Sequence, residues 1–370
     1  MNEYFLTRNR EFILCETVKQ DNYRRFVKML EGVDTGKTII ISPENVATGR
    51  LFPRVFKCKE KPTEFYEYKG RILLKPLTKN ELVPEADPGY KMQPWIKDVI
   101  DSVNRKENIL LTGGTGVGKT THIVELAAAA NQPLLRVNFN GETRISDFLG
   151  KMSVVNGNTK WVDGILPTAM RNGYWLLLDE YDMGDPAILA LLNPVLEHEN
   201  PVLVLKENNG EVIRPHKDFR VFATANSIGA MEERAGAYAG TSQGNMATQN
   251  RWPSVLYIQN LSRKEELKVI RLKVNGMRLR WAKAMVEFAA KVREGKVDGG
   301  IEFNPETFGT RQVLAWANKT ARYGSPIVGA ELTWLNTMPE SEHEAVRRVL
   351  KLHFGALKRP REKKEEVKKV

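Results

Sequence analysis

Apolar residues follow three regimes along this chain of 370 residues, and each regime predicts its own kind of element. Over the first 88 residues they fall in short runs, Thr38 to Ser42 (TIIIS), Leu51 to Lys57, Phe65 to Tyr68 and Arg71 to Leu74, with the length and the β-branched or aromatic content of strands. With a helix expected near Asn22 to Leu30, residues 1–88 read as a small α+β domain. The stretch VPEADPGY, residues 83–90, has two prolines and neither a helical nor a strand period, and reads as a linker. From Trp95 apolar strands alternate with amphipathic helices. That is the pattern of a parallel sheet covered on both faces, and it predicts an α/β core over residues 89–262. After Ser262 the spacing turns helical throughout, in Arg263 to Leu272, Leu279 to Arg293, Thr310 to Arg322 and Glu340 to Phe354. A separate helical domain is expected over residues 263–356, before a basic tail at 357–370.

Composition narrows the class without giving a chemistry. Hydrophobic residues make up 42% of the chain and charged residues 27%, as in globular proteins of aqueous compartments, and no window approaches 18 uninterrupted apolar residues. No membrane span is expected. The N-terminal MNEYFLTRNREFILCE has no apolar stretch of signal-peptide length. Two cysteines, Cys15 and Cys58, are too few for a disulfide framework or a four-ligand metal site, so a cytoplasmic location is expected. The net charge of +11 is C-terminal in origin: residues 263–370 carry 24 basic and 14 acidic side chains, against 16 and 18 over 91–262. Such an excess could attract nucleic acid through counterion release. It could equally be a solvated helical face, because acidic residues are interleaved throughout. The histidines, His122, His198, His216, His343 and His353, are scattered without ligand spacing.

Chemistry enters at the first core strand. Ile109 to Leu111 is followed at once by GGTGVGKT, residues 113–120, and then by THIVELAAAA, a strong helix former. Strand, glycine loop and helix in this order are what a phosphate-binding loop requires. Gly113, Gly116 and Gly118, with Gly114, Thr115 and Val117 between them, let the backbone turn its amides and the helix N-terminus toward phosphate charge. Lys119 would reach the β- and γ-phosphates, and the Thr120 hydroxyl, with Thr121 beside it, would meet the phosphates and a magnesium ion. A second strand, Tyr174 to Leu178, ends in Asp179 and Glu180. Asp179 can meet the metal through water, and Glu180 can orient and polarise the attacking water. Asp182 and Asp185 just beyond read as helix-start residues. A third strand, Phe219 to Ala225, ends at Asn226, whose side chain can hydrogen-bond the water or the γ-phosphate.

Two other classes of nucleotide enzyme fit less well. Guanine selection would require an N-K-x-D motif after an apolar strand, and the chain has none; a kinase would carry a small acceptor lid where this chain has a helical domain. Two arginines remain: Asn250-Arg251-Trp252 precedes another apolar strand, Val255 to Ile258, and Gly309-Thr310-Arg311 opens a helix of the C-terminal domain.

Together the phosphate loop, DEYD at 179–182, ATAN at 223–226, NRW at 250–252 and the helix-opening Arg311 resemble the ring-forming AAA+ ATPases. Within them the chain is most similar to the clade of MoxR-type ATPases and CobS-type cobaltochelatase small subunits. The likeness runs from about Val83 to Gly355 and includes GILP at 164–167, LLLDEYDMGDP at 176–186, VIRPHKDFRVFATAN at 212–226, YAGTSQGNMATQNRW at 238–252 and LNTMPE at 335–340. It implies Lys119 and Thr120 as the Walker A pair, Asp179 and Glu180 as the Walker B pair, and Asn226 as sensor 1. Arg251 would be the arginine finger on a neighbour's γ-phosphate, and Arg311 sensor 2 on the same subunit's nucleotide. In both roles a positioned guanidinium stabilises charge on the transferring phosphoryl group. ATP and Mg2+ are the implied cofactors, and a finger supplied in trans implies a ring, expected as a hexamer. The resemblance also implies that the hairpin-like stretches SVVNGNTKWVDG (153–164) and PVLVLKENNGEVIR (201–214) face a central pore, with Lys160, Trp161, Lys206 and Asn208 as contacts. Two features depart from the family: its pattern is not found in the first 80 residues, and the acid that often precedes the finger is Asn250 here.

The expected function is a ring-forming ATPase that remodels a protein or protein–cofactor partner. A DNA-dependent motor using the basic C-terminal lid is the alternative, and a nucleotide-binding scaffold without turnover is a third. Nothing in the chain resembles metal-handling partner subunits, so metal insertion does not follow from the resemblance.

Overall fold

The computed structural model describes residues 2–6, 12–20, 25–29, 38–41, 55–58, 65–69, 71–75, 80–140, 142–155, 157–226, 250–297, 301, 303 and 308–355. They fall in two compact units, one within Met1–Gly113 and Lys119–Tyr257, the other within Gly114–Gly118 and Ile258–Val370.

The first unit begins with an antiparallel sheet of β1 (Asn2–Leu6), β2 (Phe12–Gln20), β3 (Arg25–Met29), β4 (Thr38–Ile41) and β5 (Val55–Cys58), in the order β4-β3-β2-β1-β5. The helix expected near Asn22 to Leu30 is not what forms. Arg25–Met29 is a strand, bonded to β2 on one side and β4 on the other. A helix this short is marginal alone, whereas a ladder on both sides satisfies the backbone of the segment. Strands β1 and β2 lie outside the runs that the sequence pattern picked out. The hairpin β6 (Phe65–Tyr68) and β7 (Arg71–Leu74) matches two of those runs. Residues 83–90 are irregular, as their prolines require, but they are docked: the Asp87 N–H donates to Glu125 Oε2 at 3.1 Å, and just before them the Leu82 carbonyl accepts from the Leu134 N–H at 3.0 Å.

The rest of this unit alternates as the pattern predicts. In order come α1 (Ile96–Arg105), β8 (Ile109–Thr112), α2 (Lys119–Ala129), β9 (Leu134–Asn138), α3 (Ile145–Leu149), the hairpin β10 (Gly150–Val155) and β11 (Asn158–Asp163), and α4 (Ile165–Asn172). Then follow β12 (Trp175–Asp179), α5 (Pro186–Leu192), the hairpin β13 (Leu203–Leu205) and β14 (Glu211–Ile213), β15 (Arg220–Ala225) and β16 (Ser254–Tyr257). The sheet is parallel, in the order β16-β8-β15-β12-β9. Its middle strands read as largely apolar runs because both faces are covered, and every residue of β12 is buried. Register sets the site: Leu178 pairs with Ala223, and Thr112 with Ala225. Gly113, Asp179 and Asn226 therefore leave their strands at one edge, the carboxyl edge, where open α/β sheets bind ligands.

The second unit is helical: α6 (Arg263–Lys273), α7 (Leu279–Arg293), α8 (Thr310–Tyr323), α9 (Pro326–Glu331) and α10 (Glu340–Gly355). Four of these lie within a residue of their expected ends. The start of α6 is fixed by a capping box between Ser262 and Glu265. Short α9 was not expected; Ser325 caps it and Pro326 opens it. The core centres on Phe288, whose ring lies 5.8 Å from Phe303, 6.2 Å from Phe308, 5.7 Å from Trp316 and 6.0 Å from Trp334. Removing it leaves a cavity walled by four aromatic rings that cannot collapse together, so Phe288→Ala is expected to destabilise this unit by about 3–5 kcal/mol. Denaturant unfolding of the full chain checks this; a loss below about 1 kcal/mol would mean that the ring cluster is not the core. Among the described residues no helix is long and apolar enough to cross a membrane.

Candidate functional site

The loop between β8 and α2 turns on three of its four glycines. Gly113, Gly116 and Gly118 have φ of 147°, 74° and 98°, a region that side chains other than glycine's rarely enter. Lys119 is buried, and its ammonium donates to the Gly113 carbonyl at 2.8 Å and to Asn226 Oδ1 at 2.9 Å. The ends of β8 and β15 are thus joined through the two residues expected to meet the γ-phosphate. Asn226 is held in turn by its N–H, which donates to Asp182 Oδ2 at 2.9 Å. Asp182 therefore does more than start a helix: it ties the segment after β12 to the end of β15. Asp185 does cap α5, accepting from the Ala187 N–H at 2.7 Å.

Asp179 closes β12. Its carboxylate accepts from the Thr120 hydroxyl at 2.6 Å, from the Thr224 hydroxyl, and from the Arg136 guanidinium. Burial works to raise its pKa, but the two hydroxyls and the arginine outweigh that and hold the carboxyl below its ordinary range. A hydroxyl and an ionised carboxylate are hard oxygen donors, which suits Mg2+. Among the described residues no group of three or more His, Cys, Asp and Glu converges as a metal cage. Glu180 follows in the left-handed region, φ 54° and ψ 44°, an uncommon conformation for a side chain of this kind. Its N–H donates to the Thr224 hydroxyl at 3.2 Å, so one threonine fixes both acidic residues.

The two arginines lie elsewhere. Arg251 donates from Nε and Nη2 to Glu197 Oε1, at 3.1 and 2.9 Å. Its neighbour Trp252 is buried against Tyr181, ring centroids 5.3 Å apart. The carboxylate that pairs with Arg251 is thus Glu197, 54 residues away in the chain. Arg311 belongs to the helical unit, which also holds the loop crown Gly114–Gly118. There the Arg311 N–H donates to the Gly116 carbonyl at 3.3 Å. Gly309 approaches so closely that an added Cβ would stand 2.4 Å from the Thr115 carbonyl oxygen.

The hairpins form where expected, yet Trp161 does not project. It packs against the core cluster and donates to Asp163 Oδ1 at 2.8 Å, and Asn208 donates to Glu211 at 2.7 Å. Lys160 and Lys206 are exposed, as are Met152 and Val154 at 53% and 72%. Sequence reasoning missed Arg136, Thr224 and Glu197. The first two carried a signal, a polar residue inside an apolar strand (LLRVN, FATA); Glu197 carried none.

Residues 108–238 match the family model described as AAA domain (dynein-related subfamily). Aerobic cobaltochelatase subunit CobS of Sinorhizobium sp is 31% identical over 282 residues, which cover 74% of this chain and 83% of that protein. Midasin of Dictyostelium discoideum is 38% identical over 124 residues, 32% of this chain and 2% of that protein. Protein CbbQ of Hydrogenophilus thermoluteolus is 29% identical over 143 residues, 37% of this chain and 53% of that protein. The chain thus spans most of CobS, about half of CbbQ and a small part of midasin. The likeness to CobS, over 282 residues, is longer than the stretch of residues 108–238 that the family model covers. With the glycine loop, Asp179, Glu180 and Asn226 brought to one sheet edge, the chain belongs to the AAA+ ATPases of the MoxR and CobS type.

Proposed function

We propose that this ATPase works as a ring, expected with six protomers, in which each ATP is held by one protomer and completed by the next, and that turnover remodels a protein partner. Lys119 and the amides of residues 113–118 hold the phosphates, and Thr120 and Asp179 hold Mg2+. Magnesium, when held there, would offset the charge of the phosphates. Glu180 polarises the attacking water, and Asn226, already bonded to Lys119, registers the γ-phosphate. Arg311 reaches the nucleotide of its own protomer, Arg251 that of the neighbour.

The observation that carries the ring reading is where Arg251 sits. It precedes β16 by three residues, and its carbonyl accepts from Asn108, the residue before β8. Arg251 is therefore at the amino edge of the sheet, while the phosphate loop leaves the carboxyl edge. The four residues of β8 separate the two, about 13 Å at roughly 3.3 Å per residue. A guanidinium on that edge suits a neighbour's phosphate in a head-to-tail contact, and such contacts form rings when the rotation between protomers closes. Mass photometry of Glu180→Gln with saturating MgATP is expected to give one closed oligomer; solitary protomers at micromolar concentration would overturn the reading.

That the partner is a protein rests on CobS, by its name a subunit of a larger enzyme. The DNA-dependent reading has less support: none of the three relatives above is a helicase or translocase by name. At the phosphates, Lys119→Met is expected to weaken ATP binding about tenfold or more, the loss of a charge-assisted bond of about 1.5–3 kcal/mol. Fluorescent nucleotide titration measures it, and unchanged affinity would remove Lys119 from the site.

A further inference from the structure

Among the described residues of the helical unit, Glu266 is the only buried carboxylate, with no exposed surface at all. Both its oxygens are engaged by Arg293, Nη1 to Oε2 at 3.0 Å and Nη2 to Oε1 at 2.7 Å. The Thr310 hydroxyl also donates to Oε1, at 2.9 Å. The third nitrogen of the guanidinium, Nε, donates to the Phe308 carbonyl at 2.6 Å. Taking an ion pair out of water is costly, and well-packed apolar residues commonly hold helices together as well or better. Stability alone therefore does not account for this pair.

What it does fix is a short piece of backbone. Phe308 and Thr310 flank Gly309, the residue that abuts Thr115 and Gly116 of the phosphate loop, and the next N–H, that of Arg311, donates to the Gly116 carbonyl. The first turn of α8 is thus gripped on both sides of its N-cap by charges rooted in α6 and α7, with the loop crown against it. We propose that Glu266 and Arg293 are positioning residues for Arg311: they set where its helix begins relative to Gly114–Gly118, and so where its guanidinium stands when a triphosphate is bound. The proposal rests on the reading of Arg311 as a residue that meets the nucleotide.

A double-mutant cycle on the full chain with MgATP tests it. Replacing the pair together, Glu266→Met with Arg293→Met, removes both charges at similar volume and is expected to leave unfolding unchanged or slightly improved. In the parent, Arg311→Ala lowers kcat; in the double-methionine protein the same change is expected to cost about tenfold less, because the guanidinium is already out of place. A purely structural pair would leave the cost of Arg311→Ala intact, and that result overturns the proposal. Thr310→Val, which loses one donor and keeps both charges, serves as the second variant: it is expected to show part of the same coupling, and full additivity with Arg311→Ala counts against the proposal. If Arg311→Ala has no effect in the parent, the role given to Arg311 fails, and the positioning proposal falls with it by a separately visible route.

Discussion

Arg251→Ala is expected to lower ATP turnover by about a thousandfold or more, the scale of an arginine finger, while each protomer keeps its affinity for ATP. The reason is spatial. Arg251 lies at the amino edge of the parallel sheet, with its carbonyl on Asn108 and its guanidinium on Glu197, whereas the phosphate loop leaves the other edge. Its charge cannot serve its own protomer's γ-phosphate, so its loss would leave binding intact and remove stabilisation of the transition state alone. Mixing gives the decisive measurement. Arg251→Ala protomers keep Glu180 and Glu180→Gln protomers keep Arg251, so rings assembled from both contain some interfaces with every group present. Activity is expected to return in the mixture of two inactive proteins. If the mixture stays as inactive as its components under conditions where rings form, the finger does not act across subunits.

Glu180→Gln alone is expected to reduce kcat by about 10²–10⁴, the usual contribution of a positioned general base, with ATP bound and retained. Glutamine keeps the shape that the left-handed backbone at φ 54° presents, so the change removes the negative charge and little else. Asp179 next to it cannot take over. Although burial works to raise its pKa, the Thr120 and Thr224 hydroxyls and Arg136 hold its carboxyl below the ordinary range, which makes it the weaker proton acceptor. Single-turnover measurement with labelled ATP separates binding from chemistry. Near-parental turnover would mean that another group activates the water. The stalled protein is also the one to use for capturing the partner, since it should hold nucleotide and partner together.

Much of this site was legible because its pieces are local. A glycine loop between a strand and a helix is a matter of a few consecutive residues, and three of its four glycines adopt the conformations that demand glycine. Strands such as β12 announce themselves because a strand buried on both faces is apolar at every position, and the helices of the second unit because one apolar stripe repeats along each. The order of strand ends, Gly113, Asp179 and then Asn226, followed from the same runs.

What the chain does not spell out is which ends meet. Lys119 finds Asn226 across 107 residues, Arg251 finds Glu197 across 54, and Thr310 finds Glu266 across 44. Each of these pairs is made by strand register or helix packing, and no periodicity reports either. Tertiary pairing likewise made Arg25–Met29 a strand rather than a helix, and turned Trp161 onto the core rather than outward. Sequence by itself determined most elements of the α/β core and the long helices, and the kinds of chemistry at their ends, because those depend on neighbours three or four residues away. The tertiary structure alone decided which charges neutralise each other, and which arginine is left on the edge away from its own phosphate loop, because those depend on distances between residues far apart in the chain.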